Sequence, residues 1–144
     1  MPIKKLFPDM NHWLIKSEPF KYSFDQFLKD KKTFWDGVRN YQARNNLRTM
    51  AKGDLVLFYH SNEGKEIVGL AKVVKEHYQD PTTEDPNWLV VDFAPVKKFK
   101  NTVTLEQIKA HKILKGMEMI RLGRLSVTSV KPEEFDIILE LAGE

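Results

Sequence analysis

Apolar and polar positions along the chain change period several times, and each change marks an element. His12 to Lys16 reads as a buried strand. Ser23-Phe24-Asp25-Gln26 forms a capping box: the Ser23 hydroxyl is placed to accept from the Gln26 amide, and the Gln26 side chain to reach back. Tyr22 and Phe27 occupy the staple positions around it, which predicts a short helix from Phe24 to about Asp30. A second helix is predicted from Tyr41 to Ala51, with Asn40 as N-cap and Gly53 just past its end. Ala43, Leu47 and Met50 form its apolar stripe, while Tyr41, Arg44, Asn45 and Arg48 share another face.

Leu55 to Tyr59 and Ile67 to Val74 read as strands joined by a turn at Ser61 to Lys65. The breaker-rich loop Asp80 to Asn87 leads into a strand from Trp88 to Ala94. Thr104-Leu105-Glu106-Gln107 is another capping box, opening a helix to about His111. Leu125 to Val130 is a last strand, and Pro132 starts a terminal helix whose stripe is Phe135, Ile138, Leu139 and Ala142. Strands and short helices follow one another without regular βαβ alternation. The pattern favours an α+β fold: a mixed, partly closed β-barrel of about five to six strands with short peripheral helices.

A chain of 144 residues with 42% hydrophobic content suits one compact domain. The expected boundaries are a flexible leader at residues 1–10 and a single domain over 11–144, Met10 itself being a plausible start. There is no cysteine, which excludes disulfides, thiolate nucleophiles and cysteine-ligated zinc. The net charge of +3 is too mild to imply a polyanion partner. Its distribution says more: Gly37 to Gly53 holds four basic residues and no acid, and Glu133 to Glu144 five acids and no base. Only the first of these segments suits phosphate. Nothing in the sequence reads as a membrane span or secretory signal, so the expected compartment is the cytoplasm, or the nucleus in a eukaryote.

Catalytic signatures are sparse. His12, His60, His77 and His111 lack zinc-binding spacing, and no Gly-x-Ser-x-Gly elbow exists. Asn62-Glu63-Gly64-Lys65 lacks the flanking residues of a phosphate loop and reads as a hairpin turn. No metal site, cofactor site or enzymatic constellation is expected. Three segments instead set polar groups directly beside large aromatics: Trp13 to Pro19, Trp35 to Asn45, and Phe58 to Asn62.

On these segments, together with Arg124-Leu125-Ser126-Val127, the chain resembles the EVE domain family, and within it the thymocyte nuclear protein type. The resemblance spans roughly Asn11 to Leu141, with one departure: Thr128-Ser129-Val130 stands where a proline is expected shortly after the Arg-Leu-Ser-Val stretch. It implies a PUA-like barrel with a concave pocket that accepts a modified base, a modified cytosine or adenine, extruded from DNA or RNA. An extruded base needs an aromatic platform and polar groups that read its edge.

Trp35 is the expected platform, the competing reading being a core tryptophan. Trp13, alternating with Ile15, belongs to the core. Trp88 either closes the cage or anchors its strand. Lys16, Ser17 and Glu18 are expected to bond the base edge, although Lys16 and Glu18 also suit a surface pair. Asp36 either accepts from an exocyclic amine or caps a turn. Tyr59 and Ser61 are expected to complete the pocket wall. Arg39, Asn40, Arg44 and Arg48 are the expected phosphate contacts, against the alternative of solvated helix residues.

Two other function classes stay open at this point. One is a hydrolase of the ASCH type acting on a modified nucleobase or nucleoside, with Lys16 and Glu18 as its catalytic pair. The other is a protein-interaction domain with a vestigial pocket. The reader reading implies a monomer whose output passes through a protein effector.

Overall fold

The computed structural model describes residues 11–144. The expected leader at residues 1–10 lies outside the described residues. Six strands form one mixed sheet: β1 (His12–Ser17), β2 (Thr33–Phe34), β3 (Leu55–His60), β4 (Glu66–Gln79), β5 (Leu89–Thr104) and β6 (Val127–Val130). Their order is β2-β5-β4-β3-β1-β6, so β2 and β6 are the two ends of an unclosed sheet. Strands β1 and β3 run parallel, and every other pairing is antiparallel.

The helices are α1 (Phe24–Asp30), α2 (Tyr41–Thr49), α3 (Leu105–Ala110), α4 (Glu118–Arg121) and α5 (Pro132–Leu141), with a 3-10 turn at Leu114–Gly116. Alternation along the strands divides the core into two clusters, one on each face of the sheet. Trp13, Ile15, Val56 and Phe58 meet Phe24 and Phe27 of α1 and Ala43 and Leu47 of α2 on one face. Leu14, Leu55, Leu57 and Tyr59 meet Ile108 of α3, Met119 of α4 and Phe135, Ile138 and Leu139 of α5 on the other. The terminal helix therefore covers the outer face of the sheet; the inner face belongs to α1 and α2.

The caps explain the local structure only in part. Ser23 accepts from the Gln26 amide at 3.1 Å, but the Gln26 side chain donates forward to Asp30 at 2.8 Å instead of back to its cap. The Thr104 box is complete, with the Gln107 amide on Thr104 Oγ1 at 3.1 Å and the Thr104 amide on Gln107 Oε1 at 2.8 Å. Asn40 caps α2 by accepting from the Ala43 amide at 3.0 Å.

Strands β4 and β5 run well beyond the apolar stretches that mark them in sequence. They extend each other as a long hairpin interrupted by register shifts, and these let the sheet bend. One more irregularity lies in the β3–β4 pair, where Phe58 faces Gly69 but Tyr59 faces Ile67. Gly69 is required there: a Cβ would sit 2.4 Å from the Phe24 ring. Among the described residues, no helix is long and apolar enough to cross a membrane.

Candidate nucleic-acid interface

The open seam of the sheet holds a cavity of about 470 Å³. Residues 33–38, running out of β2, form one wall. The end of β1 with Ser126, just ahead of β6, forms the other. A volume of this size suits a small-molecule or single-base ligand.

Trp35 is half-buried and lines this cavity. Its amide donates to the Val91 carbonyl at 2.9 Å, extending the β2–β5 pairing by one residue. The ring meets Phe58 at 5.7 Å, Phe93 at 5.9 Å and Tyr22 at 6.1 Å, edge to face in each case. The indole thus rests on the inner core while part of it stays open to the cavity. Trp35 therefore both packs against the core and lines the cavity.

Asp36 follows at the rim, exposed, and Gly37 turns the chain with φ +77°. Buried Val38 adds apolar surface beside it. On the opposite wall Ser17 is buried and its hydroxyl donates to the Tyr22 carbonyl at 2.6 Å. Towards a ligand that hydroxyl has only acceptor lone pairs left. The Tyr22 hydroxyl donates to Asp30 at 2.9 Å, and its pKa is pushed up to about 12, chiefly by burial, so it stays a neutral phenol.

Lys16 and Glu18 both reach the cavity but do not form a pair. The Lys16 ammonium donates to the carbonyls of Gly123 at 2.9 Å and Met119 at 3.3 Å, and burial lowers its pKa. The Glu18 carboxylate sits 3.4 Å from Lys21. The lysine–carboxylate pair that a hydrolase reading requires is therefore divided between two other partnerships.

Three expected pocket residues lie elsewhere. Tyr59 and Ser61 line a second concavity of about 250 Å³, reached through Lys16, because Tyr59 points to the outer face of the sheet while Phe58 points to the inner one. Trp88 stacks on Tyr41 at 5.0 Å, and the Arg39 guanidinium lies over the Trp88 ring at 5.6 Å. It anchors the loop before β5 against α2 and does not close the cavity.

The basic residues also divide. Arg39 donates to the buried Asp80 at 3.0 Å, Arg44 packs over Tyr41 and donates to the Asn87 carbonyl at 3.2 Å, and Arg48 is exposed. Asn40 spends its side-chain oxygen on the α2 cap and borders a third concavity of about 320 Å³ with Arg121 and Arg124. None of the three arginines expected to contact phosphate lines the main cavity. Sequence reasoning missed Tyr22, Thr33, Phe34 and Ser126 as wall residues. Only Ser126 carried a signal, as part of the Arg-Leu-Ser-Val stretch. That stretch is followed by Ser129, whose amide and hydroxyl donate to Glu118 at 3.1 and 2.8 Å. A proline in place of Ser129 would have no amide to give.

An unclosed mixed sheet of this order, with short helices on both faces and an aromatic-walled cavity in its seam, defines the PUA-like class of fold. The EVE domain family model matches residues 11–141, and the chain belongs to the EVE domain family. Mouse thymocyte nuclear protein 1 is 41% identical over an alignment that covers 91% of this chain and 73% of the mouse protein. Among solved structures, protein Atu2648 from Agrobacterium tumefaciens has a TM-score of 0.90 at 41% identity, covering 92% of this chain and 93% of that one. Human THYN1 protein, solved in complex with 5-methylcytosine containing DNA, has a TM-score of 0.84 at 38% identity, covering 93% of this chain and 98% of that one. An ASCH protein from Zymomonas mobilis, 13% identical with a TM-score of 0.58, shares the fold alone.

Proposed function

We propose that this EVE domain is a non-enzymatic reader that takes an extruded modified base, 5-methylcytosine in DNA, into the cavity beside Trp35. The observation that carries the reading is the half-buried Trp35 face in a cavity of about 470 Å³ walled by polar groups. Stacking on an indole returns about 1–3 kcal/mol per base, against an extrusion cost of a few kcal/mol. Asp36 and Glu18 are acceptors suited to the exocyclic amine of cytosine. Trp35 and Val38 supply apolar surface for the added methyl. The complex of the 38% identical human THYN1 with 5-methylcytosine containing DNA supports the choice of ligand.

The protein acts in this reading as a monomer, in the cytoplasm or nucleus where DNA is, and passes its signal to a protein effector. Titrating a duplex with one 5-methylcytosine against its unmodified twin tests it, with RNA carrying the same base as a third probe. Tighter binding of the modified duplex is expected; equal binding of all three contradicts the reading. Incubation with modified nucleosides, followed by mass analysis, is expected to give no product, and a released base or altered nucleoside would establish a hydrolase.

A further inference from the structure

The three concavities meet around one short segment, Arg121 to Ser126. Ser126 borders the main cavity, Gly123 borders both others, and Lys16 links the main cavity to the second. Lys65 and Lys109 line the second concavity, and Arg121 and Arg124 the third. No acidic side chain lines either one. The segment is held firmly: the Lys16 ammonium and amide donate to the Gly123 and Ser126 carbonyls, each at 2.9 Å, and the Asn46 side chain donates to Val127 at 2.8 Å. The Glu118 carboxylate just ahead of it is engaged by Ser129.

Lys65, Lys109, Arg121 and Arg124 are all exposed. Arg39 is tied to Asp80 and Arg44 to Tyr41 and Asn87, and Arg48, although exposed, borders none of the three concavities. We infer that the phosphodiester backbone flanking the bound base runs over residues 121–126, with Arg121 and Arg124 contacting phosphate on one side and Lys65 and Lys109 on the other. The inference rests on the reader function proposed above and gives the polymer its path. It moves the phosphate contacts off α2, where charge distribution along the sequence puts them.

The test is a salt series, by fluorescence anisotropy, with the modified and unmodified duplexes. Each neutralised phosphate contact accounts for about 0.9 in the slope of log affinity against log salt. R121Q/R124Q and K65Q/K109Q are each expected to flatten the slope by about 1.8 and to weaken both duplexes by the same factor. R44Q/R48Q is expected to leave the slope as it was. An unchanged slope in the first two variants, or a slope lost only in R44Q/R48Q, overturns the inference.

Arg121 Nε also donates to the Gly116 carbonyl at 2.9 Å, so R124Q/K109Q carries the same test if R121Q/R124Q does not fold. The preference for the modified duplex is a separate readout. Its absence in the unaltered protein counts against the reader function, while the slope change still decides the path of the backbone.

Discussion

Asp80 is fully buried, and its Oδ2 accepts from the Arg39 guanidinium at 3.0 Å. The same oxygen accepts the Gly37 amide at 3.2 Å, and Oδ1 accepts the Thr82 amide at 2.7 Å and hydroxyl at 2.5 Å. The loop between β4 and β5 is thereby fastened to the segment that walls the cavity. Burial alone would raise the Asp80 pKa, but the Thr82, Arg39 and Gly37 hydrogen bonds together hold it below the usual carboxylate value.

Replacing Asp80 by Asn turns one acceptor oxygen into a donor and leaves Arg39 without its counter-charge. A loss of about 1–3 kcal/mol in denaturant unfolding is expected, with weaker binding of the modified duplex because Gly37 loses its anchor beside Trp35. The depressed pKa makes the contribution fully present above the unfolded pKa of about 3.9 and lost as pH falls through the folded value. The gap between D80N and the unaltered protein is therefore expected to close in acid below about pH 4. A D80N protein that melts and binds normally at pH 7 contradicts this role.

Gly69→Ala tests the packing of α1 on the sheet. The new methyl would lie 2.4 Å from the Phe24 ring, which is itself wedged against Phe27 at 5.7 Å and Phe58 at 5.1 Å. Overpacking of this kind costs about 1–3 kcal/mol, read by urea denaturation. Combining it with Phe24→Leu is expected to recover part of the loss. Strict additivity of the two would show that the methyl does not meet that ring.

His60 gives the fold a pH dependence of its own. Its Nε2 accepts the Phe24 amide at 3.1 Å, which requires an unprotonated nitrogen, and burial lowers its pKa despite the pull of Glu66 and Asp25. As pH falls through about 6.5, the unfolded chain takes up the proton first. Stability is thus full above that pH and falls below it, down to the folded pKa. His60→Gln, whose amide oxygen can still accept, is expected to flatten the melting temperature between about pH 7.5 and 5.5. An unchanged pH profile in H60Q would place the titration elsewhere.

Much of this was legible in the sequence where period and caps agree. The Phe24 helix, the Leu55 strand and the terminal stripe of Phe135, Ile138 and Leu139 form as their patterns predict, and the Tyr41 helix starts where predicted but ends at Thr49, two residues short of Ala51. The polar halves of β4 and β5 were not legible. Lys75 to Gln79 and Lys97 to Asn101 show no apolar alternation; the first segment pairs with Leu89 to Asp92, and Lys97 and Lys98 pair with Leu70 and Gly69, so the apolar half of each strand carries the polar half of the other. Strand β2 has two residues and only its partner β5 defines it. Trp35, Ser17 and Lys16 line the cavity; their segments stand out because polar groups sit beside large aromatics, and the family resemblance is what points to Trp35 as the platform. Tyr59 was misplaced by the β3 alternation, which turns it outward one residue after Phe58 turns inward. The pairing of Arg39 with Asp80 was not legible, because the two lie 41 positions apart.

Trp35→Ala, measured by thermal melting and duplex titration on the same sample, decides whether the modified base stacks on this indole. The indole is half-buried and contacts its aromatic neighbours by edges. The fold is therefore expected to persist with a loss well below the roughly 3–5 kcal/mol of a core tryptophan. Binding of the 5-methylcytosine duplex is expected to weaken by about 1–3 kcal/mol, or one to two decades, while the unmodified duplex keeps its salt-dependent background affinity. A variant that melts far earlier, yet still prefers the modified duplex by the original factor while folded, would contradict the account and return Trp35 to the core.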